Sequence, residues 1–141
     1  MKNILLTGDS KVLGENIKLK LFNSGYNVIG LSRSRAGITS DLYDVDGIKD
    51  LYLNTIKERG PIHGYINNAA FAYDDIITNL NSDMLMGMYK VNVFSPMMLT
   101  KYVIRDMMLN KTKGSIVHIS SISVHTGYKG LSMYALSLIH I

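Results

Sequence analysis

The 141-residue sequence contains no cysteine. This absence excludes a disulfide framework, a thiolate metal site and a cysteine nucleophile, and it makes a reducing, cytoplasmic compartment the default expectation. Only 2 prolines occur, while 47% of the residues are hydrophobic, and this composition excludes the disordered and collagen-like classes. No apolar run reaches the roughly 18 to 20 residues that a membrane span requires, so we expect no membrane partner. The length fits a single folded domain.

Charge and histidine content exclude two further classes of function. Basic residues outnumber acidic ones by 15 to 11, but they are scattered singly rather than gathered into a stripe. We therefore expect no nucleic-acid partner. The 4 histidines show no spacing typical of metal ligands, so we expect no metal site.

Short apolar runs alternate with segments of helical periodicity along the chain. Strands are predicted at 2–6, 27–31, 62–66 and 114–121, with a weaker one at 38–41, and helices at 11–24, 45–59 and 82–110. Only about half a dozen residues separate the second and third strands, which is too few for a helical crossover. The alternation predicts an α/β fold, a doubly wound parallel sheet with helices on both faces.

The turn after the first strand reads Thr7-Gly8-Asp9-Ser10-Lys11-Val12-Leu13-Gly14. Backbone N–H groups and the helix dipole attract phosphate at such a turn, and glycines let the chain bend tightly and approach a ligand. Taken alone, the turn is equally compatible with an ordinary strand-to-helix connection.

Four later landmarks extend this pattern. They are Asn67-Asn68-Ala69-Ala70 at the end of the fourth strand, Asn92 on the long helix, Ser120-Ser121 at the end of the fifth strand, and Tyr134. In this order they resemble the short-chain dehydrogenase/reductase family over residues 1–135, although Val12 stands where the family has its middle glycine. The resemblance implies a Rossmann-type domain and hydride transfer between a nicotinamide cofactor and a small-molecule carbonyl or alcohol substrate.

The resemblance also implies catalytic roles for three residues. Tyr134 is the expected acid/base, Ser121 the hydrogen-bond donor to the substrate carbonyl, and Asn92 the holder of a proton-relay water. Because Pro96 has no N–H, we expect a helix kink that leaves the Asn92 carbonyl free for that water. An unperturbed phenol has a pKa of about 10, and the family lowers it with a lysine four residues after the tyrosine. Here that position is Leu138.

By the same resemblance, the cofactor site comprises Gly8, Ser10, Lys11, Leu13, Ser32, Arg33, Asp41, Leu42, Asn68, Ala69 and Ala70. An acidic residue after the second strand would bind a ribose 2′-hydroxyl, whereas arginine would pair with a 2′-phosphate. The chain has Ser32-Arg33 there, with Arg35 and Lys11 in addition. We therefore expect NADP(H), with NAD(H) possible. A solvated basic loop is the alternative reading.

The resemblance ends near residue 135, before the last strands of the family's domain, so we expect the C-terminal strands to be missing. Residues 136–141 match the translation of a transposase adapter used in sequencing libraries, and we expect a non-native tail after an incomplete NAD(P)-binding domain at 1–135. A genuine truncated protein with an apolar tail is the alternative. We expect negligible reductase activity and weak nucleotide binding from the fragment. A non-catalytic dinucleotide-binding or sensor module is the second candidate, favoured by Val12 and Leu138. A methionine-rich helix usually fills a core or an interface, and the resemblance implies that this helix lies in a subunit interface, so we expect the parent protein to be a homo-oligomer.

Overall fold

A computed structural model describes residues 1–34 and 37–140. Arg35, which the sequence placed beside the cofactor, lies outside the described residues. Five parallel strands form one sheet in the order β3-β2-β1-β4-β5, which confirms the predicted class of fold. The strands are β1 Asn3–Thr7, β2 Asn27–Ser32, β3 Ile38–Thr39, β4 Ile62–Asn67 and β5 Ser115–His118.

The strand β1 lies at the centre of the sheet, and all five of its residues are buried. Leu5 pairs with Ile29 of β2 on one side and with Tyr65 of β4 on the other. The chain builds outward from β1 to β3 and then returns to place β4 on the opposite side. This reversal opens a crevice beyond the carboxyl ends of β1 and β4, where ligands bind in open α/β sheets.

The weak third strand is present but shorter than predicted. It consists of two residues that pair with β2 in parallel, Leu31 with Ile38 and Ser32 with Thr39. The short connection from β2 limits it, because a chain of this length cannot run back along the strand and still pair over many residues.

The helices are α1 Val12–Asn23, α2 Ile48–Leu51, α3 Ser82–Tyr89, α4 Ser95–Leu109 and α5 Ser132–Ile139. The single helix predicted at 45–59 is wrong in its details. It begins at Ile48, widens into a π-helical turn at Tyr52–Ile56 and tightens into a 3₁₀ turn at Lys57–Arg59. Gly60, with φ of 94°, ends it.

The helix predicted at 82–110 is interrupted where Pro96 falls. A π-helical turn, Lys90–Phe94, joins α3 to α4, and Pro96 occupies the first turn of α4. Because proline has no N–H to donate to the preceding turn, the hydrogen-bond ladder changes its register there. Asn92 therefore lies in a widened turn, at the position where the sequence predicted a kink.

The strand predicted at 114–121 ends three residues early. β5 pairs with β4 only as far as His118 with Asn67, and Ser121 instead begins a 3₁₀ turn, Ile122–Val124. Ser121 Oγ accepts a hydrogen bond from the Ser123 N–H at 3.2 Å. Such local bonding by serine offers the backbone an alternative to the sheet ladder.

The core lies between the sheet and the helices that follow β3 and β4. Its largest fully buried side chains include Tyr52, Tyr65, Leu5, Ile56 and Leu99. The methionines of α3 and α4 divide between the core and the surface: Met88 is fully buried, whereas Met97 and Met108 are exposed.

Candidate active site

The turn between β1 and α1 adopts a shape that only glycine permits. Gly8 has φ of 71°, and a Cβ there would lie 2.9 Å from the Cα of Ala69. Its N–H donates to the Leu31 carbonyl at 2.7 Å. A Cβ at Gly14 would collide with the Gly8 carbonyl oxygen. Gly8 therefore lets the turn lie against the segment that follows β4, and Gly14 lets the start of α1 lie against the turn. The close approach to a ligand that the sequence predicted for this turn stays a prediction.

Thr7 and Asn68 lock the ends of β1 and β4 together. Thr7 Oγ1 accepts hydrogen bonds from the backbone N–H groups of Asn68 and Ala69, each at 3.1 Å. Asn68 Nδ2 donates to the carbonyls of Thr7 at 3.2 Å and Gly8 at 3.0 Å. This reciprocal bonding fixes the floor of the crevice and gives Asn68, the first residue after β4, a structural role.

The N-terminus of α1 faces the crevice. Lys11 is its N-cap residue, and no side chain among the described residues caps the first turn. The free N–H groups of that turn and the positive end of the helix dipole are suited to binding an anion. Val12, which replaces the family's middle glycine, is 80% exposed at the rim of the crevice.

A cleft of about 610 Å³ lies along this edge of the sheet. This volume falls within the usual range for cofactor sites. Every residue that the sequence assigned to the cofactor lines it: Gly8, Ser10, Lys11, Leu13, Ser32, Arg33, Asp41, Leu42, Asn68, Ala69 and Ala70. The structure thus brings together segments from four separate connections. Their contact with a cofactor stays a prediction.

Two aromatic residues of the cleft were missed by the sequence analysis. Tyr43 and Phe71 both line it, and their ring centroids lie 5.8 Å apart. Each directly follows a segment that was recognised, Asp41-Leu42 in one case and Ala69-Ala70 in the other. Their adjacency to these segments was the available signal.

The mouth of the cleft near β2 carries positive charge. Arg33 follows the last residue of β2 and is exposed beside the cleft, and Lys11 is likewise exposed and lines it. Ser32 Oγ donates to the Ser34 carbonyl at 3.1 Å, which holds the backbone around Arg33 in a tight turn.

Asn92 is buried, with 1% of its surface exposed. Its Oδ1 accepts from the Phe71 N–H at 2.7 Å, and its Nδ2 donates to the Phe71 carbonyl at 2.8 Å and to Ser137 Oγ at 3.0 Å. Since the side-chain amide is fully engaged, it positions the widened turn against the segment that follows β4.

Ser121 and Tyr134 lie on elements that pack against each other. Helix α5, which carries Tyr134, contacts both the Ile122–Val124 turn that Ser121 begins and the π-helical turn of Asn92. Ser137 Oγ, which accepts from Asn92, donates to the Tyr134 carbonyl at 2.8 Å. The structure therefore gathers the three elements that carry the expected catalytic residues.

The environment of the Tyr134 phenol opposes ionisation. Burial raises its pKa above the ordinary value of 10.0, and the negative charge of Asp74 raises it further. The Asp75 N–H donates to the Gly130 carbonyl at 3.0 Å, which anchors the Asp74 loop beside α5. From the sequence, Asp74 and Asp75 read as an ordinary loop pair, so this contact was missed. Leu138, at the position of the family's lysine, is buried.

Two findings concern other kinds of site. Within residues 1–34 and 37–140, no group of three or more acidic or histidine side chains is placed to hold a metal ion. None of the helices in that part of the chain is both long enough and apolar enough to cross a membrane.

Comparison with known proteins decides the family. The model of the short chain dehydrogenase family matches residues 2–137. The chain belongs to this family. L-xylulose reductase of Caenorhabditis elegans is 33% identical over 134 residues, which cover 85% of this chain and 53% of that protein. The chain thus spans about half the length of this curated relative.

Solved structures of the family share the fold. The structure of 4-hydroxyisoleucine dehydrogenase complexed with NADH superposes with a TM-score of 0.91 at 23% identity, covering 99% of this chain and 64% of that one. The structure of ElxO with NADP bound superposes with a TM-score of 0.88 at 22% identity, covering 99% of this chain and 63% of that one. The Rossmann-type fold implied by the sequence is confirmed.

Proposed function

We propose that this chain is the dinucleotide-binding portion of an NAD(P)(H)-dependent oxidoreductase that acts on a carbonyl or alcohol of a small-molecule substrate. The observation that carries the proposal is the cleft itself: it lies at the reversal of strand order, begins at the uncapped end of α1, and has a turn that admits only glycine at Gly8. Family relatives that bind NADH or NADP, and one named as a reductase, support it.

The residues of the cleft fit the parts of a dinucleotide. Gly8, Ser10 and Lys11, with the free N–H groups of α1, would hold phosphate, and Asp41 with Leu42 would border the adenine. A nicotinamide supplies the hydride when bound, and the protein supplies position and proton transfer. Ser121 would donate a hydrogen bond to the substrate oxygen as negative charge develops there.

Proton handling falls to Tyr134 and Asn92 in this proposal. Tyr134 would hold the proton that the substrate oxygen receives, and burial and Asp74 both raise the pKa of its phenol and so favour the protonated form. Asn92 would keep the widened turn against Phe71 through its two short hydrogen bonds. The Asn92 carbonyl, in this widened turn, would hold the relay water.

NADP(H) is the proposed cofactor. The first residue after β2 is Arg33, and the guanidinium group pairs with a phosphate through two parallel hydrogen bonds. Lys11, which also lines the cleft, adds a second cation. An acidic residue at the end of β2, which would favour NAD(H), is replaced by Ser32.

A fluorescence titration with NADPH and NADH tests both the binding of a dinucleotide and the preference for NADP(H). The chain contains no tryptophan, so nicotinamide emission is recorded without indole emission. We expect saturable binding, with NADPH about tenfold tighter than NADH, equivalent to about 1.4 kcal/mol. Arg33→Ala should remove the preference, whereas Arg105→Ala, an exposed arginine on α4, should not. Absence of saturable binding of either cofactor would reject the proposal.

A second candidate, a dinucleotide-binding module without catalysis, is favoured by the surroundings of Tyr134. Leu138 is buried where the family has a cation, and Asp74 acts on the phenol in the opposite sense. Under this candidate the chain binds NADPH but Leu138→Lys, introduced together with a relative's C-terminal half, restores no turnover. Under the first candidate it does. Cytoplasmic location, a homo-oligomeric parent and a non-native segment at 136–141 stay predictions.

A further inference from the structure

Asp9 lies in the phosphate-binding turn, yet its side chain points away from the cleft and into the protein. Only 2% of the residue is exposed, and it is absent from the cleft lining although its neighbours Gly8 and Ser10 belong to it. Its Oδ2 lies 2.6 Å from Nζ of Lys18, which is on α1 and whose side chain is 32% exposed. The pair therefore joins the turn to the helix that follows it.

The Asp9 carboxylate also lies against β2, in the space that a side chain at position 30 would fill. Gly30 pairs with Leu6 in the centre of the sheet, and a Cβ at Gly30 would overlap the Asp9 carboxylate. Asp9 Oδ1 is buried and has no hydrogen-bond partner among the described residues. The carboxylate is thus wedged between β2 and α1, and its one short polar contact among these residues is with Lys18.

Such a contact holds the turn strongly, because a buried carboxylate without its cation is costly. Taking a carboxylate out of water is costly, so breaking its contact with the partly exposed Lys18 should destabilise the turn more than breaking an exposed pair would. The contact with Lys18 and the packing against Gly30 fix the Asp9 side chain, and Gly8 and Ser10 are its direct neighbours in the chain. A bound phosphate would contact these two residues, so their position determines how well it binds.

We propose that Asp9 and Lys18 form a positioning pair, which holds the Gly8–Lys11 backbone in its phosphate-binding shape. The proposal rests on the proposed dinucleotide-binding function. A positioning role and a purely electrostatic role of Asp9 predict opposite changes in phosphate binding. Removing the negative charge of Asp9 should strengthen phosphate binding if charge alone acts, but should weaken it if the carboxylate positions the turn.

The decisive variant is Asp9→Asn, which keeps the shape of the side chain. We expect its dissociation constant for NADPH to rise about tenfold, and that of Lys18→Met to rise similarly, with partial recovery in Lys18→Arg. The double variant, Asp9→Asn with Lys18→Met, should bind NADPH no more weakly than whichever single variant binds it less tightly, because both substitutions remove the same contact. Lys20→Met, which removes an exposed lysine from the same helix, is the matched control and should bind as the unsubstituted chain does.

Amide hydrogen exchange without cofactor separates the two proposals. We expect Asp9→Asn to speed exchange in the Gly8–Lys11 turn while β4 and α4 keep their protection. If the unsubstituted chain binds no NADPH but this local effect is seen, the pair positions the turn and the dinucleotide function is wrong. If Asp9→Asn binds NADPH as tightly as the unsubstituted chain or more tightly, or leaves exchange in the turn unchanged, the positioning pair is overturned.

Gly30 provides an independent check on the packing. Gly30→Ala should weaken NADPH binding and lower stability, since the added methyl group displaces the Asp9 carboxylate. The double variant Gly30→Ala with Asp9→Ala should then be more stable than Gly30→Ala alone, because removing the Asp9 carboxylate makes room for the added methyl group. A double variant no more stable than Gly30→Ala would contradict the contact.

Discussion

The negative charge of Asp74 acts on the phenol of Tyr134. Burial raises the pKa of the phenol, and the negative charge of Asp74 raises it further. A tyrosine that must exchange a proton near neutral pH needs the opposite influence, a nearby cation that favours the phenolate. The surroundings of Tyr134 in this chain therefore favour the protonated phenol over the phenolate.

Asp74→Asn should lower the pKa of Tyr134 toward 10.0, because it removes the repulsion while burial continues to act. Isotope-labelled tyrosine NMR, with the Tyr134 resonance assigned through Tyr134→Phe, would follow the titration. Asp50→Asn, an exposed acid on α2, is the control and should leave the Tyr134 titration unchanged. An unchanged pKa in Asp74→Asn would show that the two groups do not interact.

Stability should fall at both ends of the pH range. Burial lowers the pKa of His118 below 6.5, so the unfolded chain takes up a proton more readily and unfolding is favoured as pH decreases through 6.5. Burial raises the pKa values of Tyr52, Tyr65 and Tyr134, so the folded chain retains protons that the unfolded chain loses above about pH 10. Urea unfolding across pH measures both effects.

His118→Gln should flatten the decline in stability on the acid side. His125→Gln, at an exposed position shortly after β5, should leave that decline in place. Equal slopes for the two variants would contradict the assignment to His118.

Gly14→Ala should destabilise the chain by about 2 to 3 kcal/mol, because its Cβ would meet the Gly8 carbonyl oxygen, a backbone atom that cannot rotate away. Gly127→Ala is the matched control. A Cβ there meets nothing within 4 Å, so its free energy of unfolding should change by less than about 0.5 kcal/mol. Urea denaturation compares the two, and equal losses would rule out the close approach of α1 to the turn.

Val12→Gly should tighten NADPH binding about fivefold, since it removes an exposed isopropyl group from the rim of the cleft at the start of α1. Val12→Ala should bind NADPH with an affinity between those of Val12→Gly and the unsubstituted chain. Glycine costs about 1 kcal/mol in a helix interior and less at the first position, so stability should change little. Weaker binding in Val12→Gly would show that the side chain contributes a favourable contact.

The sheet was predictable because its strands are short apolar runs that end at turn residues. Ile4, Leu5 and Leu6 are buried on both faces, and such runs indicate a parallel sheet covered by helices. The cleft followed from topology, since the segments after β1, β2 and β4 meet at one edge whatever their side chains do. The strand end near Ser121 was wrong because a serine hydroxyl can bond its own neighbours instead of continuing the ladder.

Contacts across long separations could not be predicted in the same way. Asp74 and Tyr134 are 60 residues apart, and the hydrogen bond from the Asp75 N–H to the Gly130 carbonyl joins the two segments that carry them. The burial of Asp9 was hidden for a related reason. An aspartate in a glycine-rich turn reads as solvent-exposed, and its pocket depends on Gly30 in a different strand and Lys18 on the following helix.

Backbone NMR during a titration with NADPH tests the central claim most directly, because it reports where on the chain a dinucleotide binds. The account predicts saturable shifts concentrated at Gly8–Leu13, Ser32–Arg33, Asp41–Tyr43 and Asn68–Phe71, with little change in α4. Shifts confined to other surfaces, or no saturable shifts at all, would contradict it.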